Sequence, residues 1–209
     1  AEGGGYAWSL NSQQNPITAW SNDAVCDPPG EAFLLRDADD DAQWSATASP
    51  IRAGGAAYVA RFGPGYARFD ANVHGIGSEL TQCVAASDPV KVSRLRLRNH
   101  SGRARRIDVA QVAAWMLGPI GSDPRATTQV ESDTARGAVF ARNAWREEFT
   151  QAVAFIACAA KGAKPGSEAG PRSAVVASIE LAPDASAEIM LALGEGADRQ
   201  AAQALVDRY

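Results

Sequence analysis

The chain is best understood from residues 93–115, which read SRLRLRNHSGRARRIDVAQVAAW. Leucines alternate with arginines up to Arg98, and apolar residues alternate again from Ile107 to Trp115. Every second side chain lies on the same face of a β-strand, so both halves have the period of a strand with one buried face. The glycine-containing turn at 99–102 lies between them, and this pattern predicts a β-hairpin.

The rest of the sequence repeats this pattern in shorter segments. Turn signals such as Gly63-Pro64-Gly65 separate apolar segments about every 8 to 12 residues, which is typical of an all-β sandwich. Further strands are predicted at 6–10, 32–36, 43–48, 56–62, 66–73, 76–84, 127–131, 138–142, 150–159, 175–181 and 187–193. Only the end has a helical pattern, with Asp198 as the predicted cap. The predicted fold class is therefore all-β, with about a dozen mostly antiparallel strands in two sheets and a short C-terminal helix.

Two segments depart from the regular alternation. Val90 and Val92 are on the opposite phase from Leu95 and Leu97, which predicts a β-bulge near Ser93. Residues 161–171 are rich in Gly, Pro, Lys and Ser, and this composition predicts a mobile loop.

Composition excludes several classes of function. The net charge of −4 argues against nucleic acid as the main partner, because binding phosphates requires a basic surface. Three widely spaced cysteines give neither a disulfide framework nor a zinc-binding spacing, which favours a reducing compartment. No apolar run is as long as a membrane span. The first residues, AEGGG, lack an initiator methionine and predict that the chain was excised from a longer protein.

The candidate functional residues lie in two polar loops near the N-terminus. Residues 20–37 read WSNDAVCDPPGEAFLLRD, where Pro-Pro-Gly excludes helix, and residues 8–18 read WSLNSQQNPIT. Indole rings beside amides, carboxylates and an arginine suit a sugar, which has apolar C–H faces and a rim of hydroxyls. The predicted sugar-binding or interdomain contact residues are Trp8, Asn11, Asn15, Trp20, Asn22, Asp23 and Arg36.

These loops also carry a family resemblance. The matching positions occur in order and include Trp8-Ser9, Asn11-Ser12, Asn15, Thr18, Trp20, Asn22-Asp23, Val25, Asp27, Pro29-Gly30-Glu31 and Arg36-Asp37. They resemble the N-terminal β-sandwich of the glycosyltransferase-36 group, glycoside hydrolase family 94. Within that family, the matching positions are most similar to those of cyclic β-1,2-glucan synthetases, and cellobiose phosphorylases are more distant relatives.

The resemblance implies a β-sandwich of the supersandwich type over residues 1–209, as one accessory domain of a larger enzyme. In that family the catalytic groups lie in an (α/α)6 barrel, so this chain is expected to have no catalytic residue and no turnover alone. The implied partners are a β-glucan or oligosaccharide and the barrel, and no cofactor is implied. The implied location is cytoplasmic, at the inner membrane if the parent is a synthetase.

The sequence departs from the family pattern at two places. The strand that usually precedes the Trp-Ser motif is missing. The segment between the strands predicted at Phe155 and Ile179 is shorter than usual. Either this member is trimmed or some residues are not represented.

Other chemistry in the sequence has a simpler explanation. Asp23, Asp27, Glu31 and Asp37 could form an acid–base pair for glycoside cleavage, but capping turns and pairing with arginines is the favoured interpretation. Residues 37–41, DADDD, could suggest a calcium loop, but they lack the glycine and glutamate spacing of an EF-hand. Two histidines are too few for a histidine-rich metal site, and no metal ligand is assigned.

Two questions stay open at this level. The arginines of the central hairpin could form a docking face for an acidic neighbour, although a solvated outer face is favoured because they alternate with leucines. The tryptophans also differ in predicted burial: Trp115 is predicted in the core, and the burial of Trp44 and Trp145 is undecided. Two alternatives to the accessory role remain: an independent carbohydrate-binding module, and a purely structural domain that forms a homodimer.

Overall fold

The computed structural model describes residues 5–21, 23, 25–26, 28–120, 126–160, 164–167 and 172–209. It confirms the all-β fold class, with two antiparallel sheets and one C-terminal α-helix, α1, Arg199–Arg208. The strands are β1 Glu31–Asp37, β2 Gln43–Ser45, β3 Tyr58–Gly63, β4 Tyr66–Val73, β5 Ile76–Val84, β6 Val90–Asn99, β7 Arg105–Ala114, β8 Thr128–Asp133, β9 Ala138–Asn143, β10 Val153–Cys158, β11 Lys164–Ser167, β12 Arg172–Leu181 and β13 Ser186–Gly196.

The smaller sheet has five strands in the order β11-β12-β7-β1-β2. Strand β7 lies at its centre and pairs with β1 on one side and β12 on the other. The larger sheet has eight strands in the order β3-β4-β5-β6-β13-β10-β9-β8. The predicted β-hairpin of residues 93–115 is therefore wrong: both strands form, but β6 pairs with β5 and β13 in the larger sheet, and β7 pairs with β1 and β12 in the smaller one. The turn between them carries the chain from one sheet to the other, because each strand buries its apolar face against the opposite sheet.

The core lies between the two sheets. Leu95 and Leu97 of β6 and Ile107 and Val109 of β7 are fully buried, so the alternating apolar residues of both strands face inward as predicted. Trp115 is buried, and its Nε1–H donates to Ser173 Oγ at 2.8 Å. The sequence left Trp44 undecided, and it is also a core residue at 0% exposure.

Helix α1 covers part of the outer face of the larger sheet. Asp198 caps it as predicted, because its carboxylate accepts a hydrogen bond from Ala201 N at 2.8 Å. Ala202 and Leu205 pack in a second apolar cluster with Val90 and Phe155 on that face. The outer face of β3 to β5, and of β6 from Arg94 to Arg98, has no such cover from α1.

This covering helix explains why the predicted bulge near Ser93 is wrong. The ladder between β6 and β13 runs without interruption from Ser186↔Arg98 to Gly194↔Val90. Val90 is buried because it faces α1 on the outer side of the sheet. The apolar phase changes along β6 because one end of the strand is buried on its outer face, while the strand itself stays regular.

Two further local predictions are also wrong, one of a strand and one of a loop. Residues 6–10 are predicted as a strand, but they form a loop in which Trp8 makes one isolated bridge with Pro16. The predicted loop 161–171 contains strand β11, which forms the edge of the smaller sheet, while 161–163 and 168–171 lie outside the described residues. An edge position tolerates Pro165, which has no amide hydrogen to donate.

The arginines of β6 lie on the uncovered outer face, as the alternation predicts. Arg94 pairs with Glu79 at 3.2 Å, while Arg96 and Arg98 are exposed. Neither Arg96 nor Arg98 has an ion pair within the described part of the chain. Among the described residues, no helix is both long and apolar enough to cross a membrane.

Candidate functional site

The N-terminal loop, residues 5–19, closes one end of the sandwich. Its backbone is tied to β7 by Ala19 N, which donates to Ala114 O at 2.8 Å, and by a bridge between Thr18 and Trp115. Strands β1, β6, β8, β10 and β12 begin at this end, and β5, β7, β9 and β13 finish there. We call this end of the molecule the loop end.

Three aromatic residues, two of them half-exposed tryptophans, form an aromatic rim at the loop end. The exposed fractions of Trp8 and Trp20 are 52% and 49%. Tyr6 lies close to Trp20, with ring centroids 6.3 Å apart and planes tilted by 51°. We define the aromatic rim as Tyr6, Trp8 and Trp20. Aromatic faces left half in water are the geometry expected of residues that stack on a sugar ring or fill an interdomain seam.

A cleft of about 420 Å³ lies beside Trp8. Tyr6, Trp8 and Leu10 form one wall, and Pro89 and Lys91 contribute to the other. Volumes of this order are typical of small-ligand sites. The cleft is thus large enough for a sugar unit or for side chains of a neighbouring domain.

A buried carboxylate holds the lysine of this cleft. Glu31 is only 1% exposed, and it accepts hydrogen bonds from Lys91 Nζ and from Gln111 Nε2, the latter at 2.9 Å. The Lys91–Glu31 pair links β6 of the larger sheet to β1 of the smaller one. It fixes the relative position of the sheets under the cleft.

A second buried polar cluster anchors the N-terminal loop. Arg146 is 2% exposed and donates through Nη1 to Asn15 Oδ1 at 2.7 Å and to Glu195 Oε1 at 2.9 Å. Its Nη2 donates to Ala152 O at 2.6 Å, and Asn15 Nδ2 donates to Glu195 Oε2 at 2.6 Å. Buried charges require such partners. Asn15 at 0% exposure is therefore an internal anchor for the loop.

Asn11 and Asp23 hold turns. Asn11 Oδ1 accepts hydrogen bonds from Gln13 N and Gln14 N at 2.9 and 3.0 Å. Asp23 Oδ1 accepts from Cys26 N and Val25 N at 3.0 and 2.8 Å. These two backbone hydrogen bonds lower the pKa of the Asp23 carboxyl, with the bond from Cys26 as the larger cause. Both side chains shape the loops beside the rim. Asn22 lies outside the described residues.

Arg36 does not lie with the other predicted contact residues. It is near the far end of β1, where Nη2 donates to Asp108 at 2.6 Å and Nη1 to Asp41 at 3.2 Å. The hydrogen bond and charge of Asp108 raise the pKa of Arg36. With a rise of about 3.4 Å per residue, β1 places Arg36 roughly 17 Å from Glu31 at the loop end. The structure brings Trp8 and Trp20 to one end and leaves Arg36 at the other.

Glu31 and Asp37 do not form an acid–base pair. Glu31 and Asp37 are both buried and paired, with Asp37 held by Arg105, and Asp27 lies outside the described residues. Glu31 and Asp37 are at opposite ends of β1, about 20 Å apart by strand rise, whereas glycosidase pairs are about 5 to 10 Å apart. Their arrangement is that of structural ion pairs.

Further apolar side chains are exposed at the loop end. Leu10 is 86% exposed and Trp145 is 79% exposed. Ile120, at 43%, lies beside the N-terminal loop because its N–H donates to Gln13 O at 3.0 Å. Trp145 precedes the buried Arg146. The exposed apolar face of the loop end, as we use the term, consists of the aromatic rim with Leu10, Ile120 and Trp145.

Sequence reasoning missed three residues that contribute to the loop end, namely Tyr6, Lys91 and Arg146. Tyr6 and Trp8 are two residues apart, and this spacing is a signal that both could contribute to one surface. Lys91 and Arg146 gave no comparable signal, because their partners Glu31 and Asn15 are distant along the chain.

Comparison with known proteins shows what this chain is related to. It is 34% identical over 157 residues to cyclic beta-(1,2)-glucan synthase NdvB of Rhizobium meliloti (strain 1021), a match covering 75% of this chain and 6% of that protein. It is 27% identical over 122 residues to N,N'-diacetylchitobiose phosphorylase of Vibrio proteolyticus, covering 57% of this chain and 15% of that enzyme. The chain thus spans a small part of the curated relatives that it matches.

Solved structures share the fold at low identity. A putative aldose 1-epimerase from Escherichia coli K12 superposes with a TM-score of 0.54 at 8% identity, covering 87% of this chain and 89% of that one. A bacterial glucoamylase complexed with acarbose also gives 0.54, at 7% identity, covering 85% of this chain and 28% of that one. The family model described as the supersandwich domain of glycosyl hydrolase 94 matches residues 1–174. With its two antiparallel sheets and this match over most of its length, the chain belongs to the glycosyl hydrolase 94 supersandwich family.

Proposed function

We propose that this chain is a non-catalytic accessory domain of a larger carbohydrate-active enzyme, of the glucan synthase or phosphorylase type. The exposed apolar face of the loop end carries this proposal. Soluble domains rarely expose contiguous apolar surface without a partner. In the proposed arrangement, Leu10, Ile120 and Trp145 pack against a neighbouring catalytic domain, and the aromatic rim borders its sugar site.

The family relationship supports the sugar context. One relative is named as a cyclic beta-(1,2)-glucan synthase and another as an N,N'-diacetylchitobiose phosphorylase, and both names refer to saccharides. A helical (α/α)6 barrel is the neighbouring domain that we propose. A cytoplasmic location for the parent enzyme follows as a further proposal, which cell fractionation would test.

The direct test is an activity assay of the isolated chain. With β-1,2-glucan or cellobiose in phosphate buffer, the chain should release no glucose 1-phosphate. In the full-length enzyme, Trp20→Ala should raise KM for the glucan, and Trp145→Ala should weaken association with the catalytic domain. Release of glucose 1-phosphate by the chain alone would refute the accessory role.

An independent carbohydrate-binding module is the second candidate, because the half-exposed Trp8 lines a ligand-sized cleft and Trp20 packs near Tyr6, which lines the same cleft. Calorimetry with β-1,2-glucan and cellobiose separates it from the accessory role. Measurable affinity that is lost in Trp20→Ala would favour the binding module. A sedimentation run on the same samples tests the third alternative, a homodimer joined through the exposed apolar face.

A further inference from the structure

A second cleft lies beside helix α1, apart from the cleft at Trp8. Its volume is about 500 Å³, within the range of small-ligand sites. It lies between the N-terminal turn of α1 and the outer face of β8, β9 and β10. The polar side chains that matter for its chemistry are Gln129, Glu131, Arg142, Gln151, Arg199 and Gln200.

One guanidinium in this cleft stacks on an aromatic ring and also makes an ion pair. Arg199 Cζ lies 3.7 Å from the centroid of the Phe140 ring, and Arg199 Nη2 donates to Glu131 Oε1 at 2.9 Å. Phe140 is itself buried against Phe155, with centroids 6.3 Å apart. Stacking and ion pairing together orient the flat guanidinium. Its other N–H groups have no acceptor within the described part of the chain.

Four further polar side chains lining the cleft are exposed to solvent and have no hydrogen-bond partner among the described residues. They are Gln129, Arg142, Gln151 and Gln200. Each glutamine amide offers two donors and one acceptor, and the guanidinium offers five donors. Sugar hydroxyls act as both donors and acceptors, so this set complements them.

The charges lining the cleft are balanced. Glu131 and Asp198 offset Arg142 and Arg199, so the cleft offers no net attraction to an anion or a cation. This balance favours an uncharged polar ligand over a phosphorylated or acidic one.

We propose that this cleft binds a neutral oligosaccharide, at a site separate from the aromatic rim. Gln129, Arg142, Gln151 and Gln200 supply hydrogen bonds to its hydroxyls, and the stacked Arg199 guanidinium supplies a flat, oriented donor surface. The proposal holds whether or not the exposed apolar face meets a catalytic domain, because it involves different residues.

The test is NMR titration of the isolated chain with cellobiose and with sophorose, the β-1,2-linked disaccharide of glucose. We expect shifts in the side-chain amides of Gln129, Gln151 and Gln200. Arg142→Ala and Gln151→Ala should each weaken binding by about tenfold, as expected for loss of a good hydrogen bond. The matched control is Arg96→Ala, which removes an exposed, unpaired arginine from β6. Urea unfolding of each variant establishes that the fold is intact.

Each other outcome contradicts the proposal. Shifts confined to Trp8 and Trp20 would place the sugar at the aromatic rim, and the absence of any shift would exclude binding at either site. Unchanged affinity in Arg142→Ala and Gln151→Ala would exclude this cleft. Tighter binding of glucose 1-phosphate than of the disaccharides would contradict the choice of a neutral ligand.

Discussion

Arg146 and Asp37 are single residues on which whole loops depend. Arg146 joins the N-terminal loop to β13 through Asn15 and Glu195. Asp37, at 0% exposure, joins the end of β1 to Arg105, and Arg105 also donates to His74 O at 2.9 Å. Removal of one partner from such a pair leaves the other charge buried without compensation.

Arg146→Met should therefore lower the free energy of unfolding by about 3–5 kcal/mol, because Glu195 then remains buried without its counter-ion. The measurement is urea unfolding followed by tryptophan fluorescence. Arg142→Met is the control, since Arg142 is exposed and has no partner in the described ranges, and it should change stability by less than about 0.5 kcal/mol. Equal effects of the two substitutions would contradict the anchoring role.

The pH dependence of stability should depend in part on Asp37. Burial opposes its ionisation, but hydrogen bonds from Asp39 N and Arg105, with the charges of Arg105 and Arg103, outweigh burial and lower the pKa of the carboxyl. A pKa lower in the folded than in the unfolded chain stabilises the fold above the unfolded value of about 3.9. This contribution is lost as pH falls through the folded pKa.

Asp37→Asn should reduce stability at pH 7 and flatten the acid limb of the stability profile. Urea unfolding at a series of pH values from neutral to acidic gives this profile. Asp184→Asn is the matched control, because Asp184 is exposed and has no ion pair among the described residues. A profile for Asp37→Asn as steep as that of the control would show that Asp37 is not the group responsible.

Thiol reactivity should separate the three cysteines. Cys26 and Cys83 are exposed and Cys158 is buried, and burial raises the pKa of the Cys158 thiol. An aromatic disulfide reagent such as DTNB reacts with thiolates, so two thiols should react quickly in the native chain and the third only on unfolding. Rapid native reaction of all three would contradict the buried position of Cys158 in β10.

At the scale of elements, helix α1 depends on a close approach to the end of β13. A Cβ on Gly196 would lie 2.2 Å from Ala202 N and 2.6 Å from Ala202 Cα, which are backbone atoms that cannot move without the helix. The contact allows Ala202 and Leu205 to cover Val90 and Phe155. The glycine thus determines whether the outer face of the larger sheet is covered.

Gly196→Ala should consequently destabilise the chain more than Asp198→Ala, for which loss of the N-cap costs about 1 kcal/mol. Thermal unfolding by circular dichroism measures both. Gly54→Ala serves as the control, because a Cβ there meets no atom within 4 Å. If Gly196→Ala behaved like Gly54→Ala, the close approach would not limit the position of the helix.

At the scale of the whole molecule, the two ends differ in chemistry. The loop end exposes Trp8, Trp20 and Trp145. The opposite end carries the turn at 37–41, where Arg103 pairs with Asp39 at 2.7 Å. A surface divided in this way gives the molecule one end suited to packing and one suited to water.

The isolated chain should therefore bind the hydrophobic dye ANS in its native state. Trp20→Ser combined with Trp145→Ser should reduce the dye fluorescence and any concentration-dependent association seen by sedimentation. Val59→Ser, on β3, is the control, since Val59 is 43% exposed but belongs to a different surface. Equal dye binding by the double variant and the unaltered chain would contradict an apolar loop end.

The sequence by itself determined the fold class, because the period of two in β6 and β7 and the turn residues are local properties of the chain. The polar neighbours of Trp8 and Trp20 in sequence also separated these two residues from the core, and both are half-exposed, while their role as contact residues stays a prediction. Only the tertiary structure decided the position of Asn15. Asn11, Asn15 and Asp23 look alike in sequence, and Asn11 and Asp23 hold local turns two or three residues long, but Asn15 is buried against Arg146 and Glu195, which are far from it along the chain. The phase change at Val90 and the cleft beside α1 were likewise decided by tertiary contacts, because both depend on a helix that packs on strands far from it in sequence.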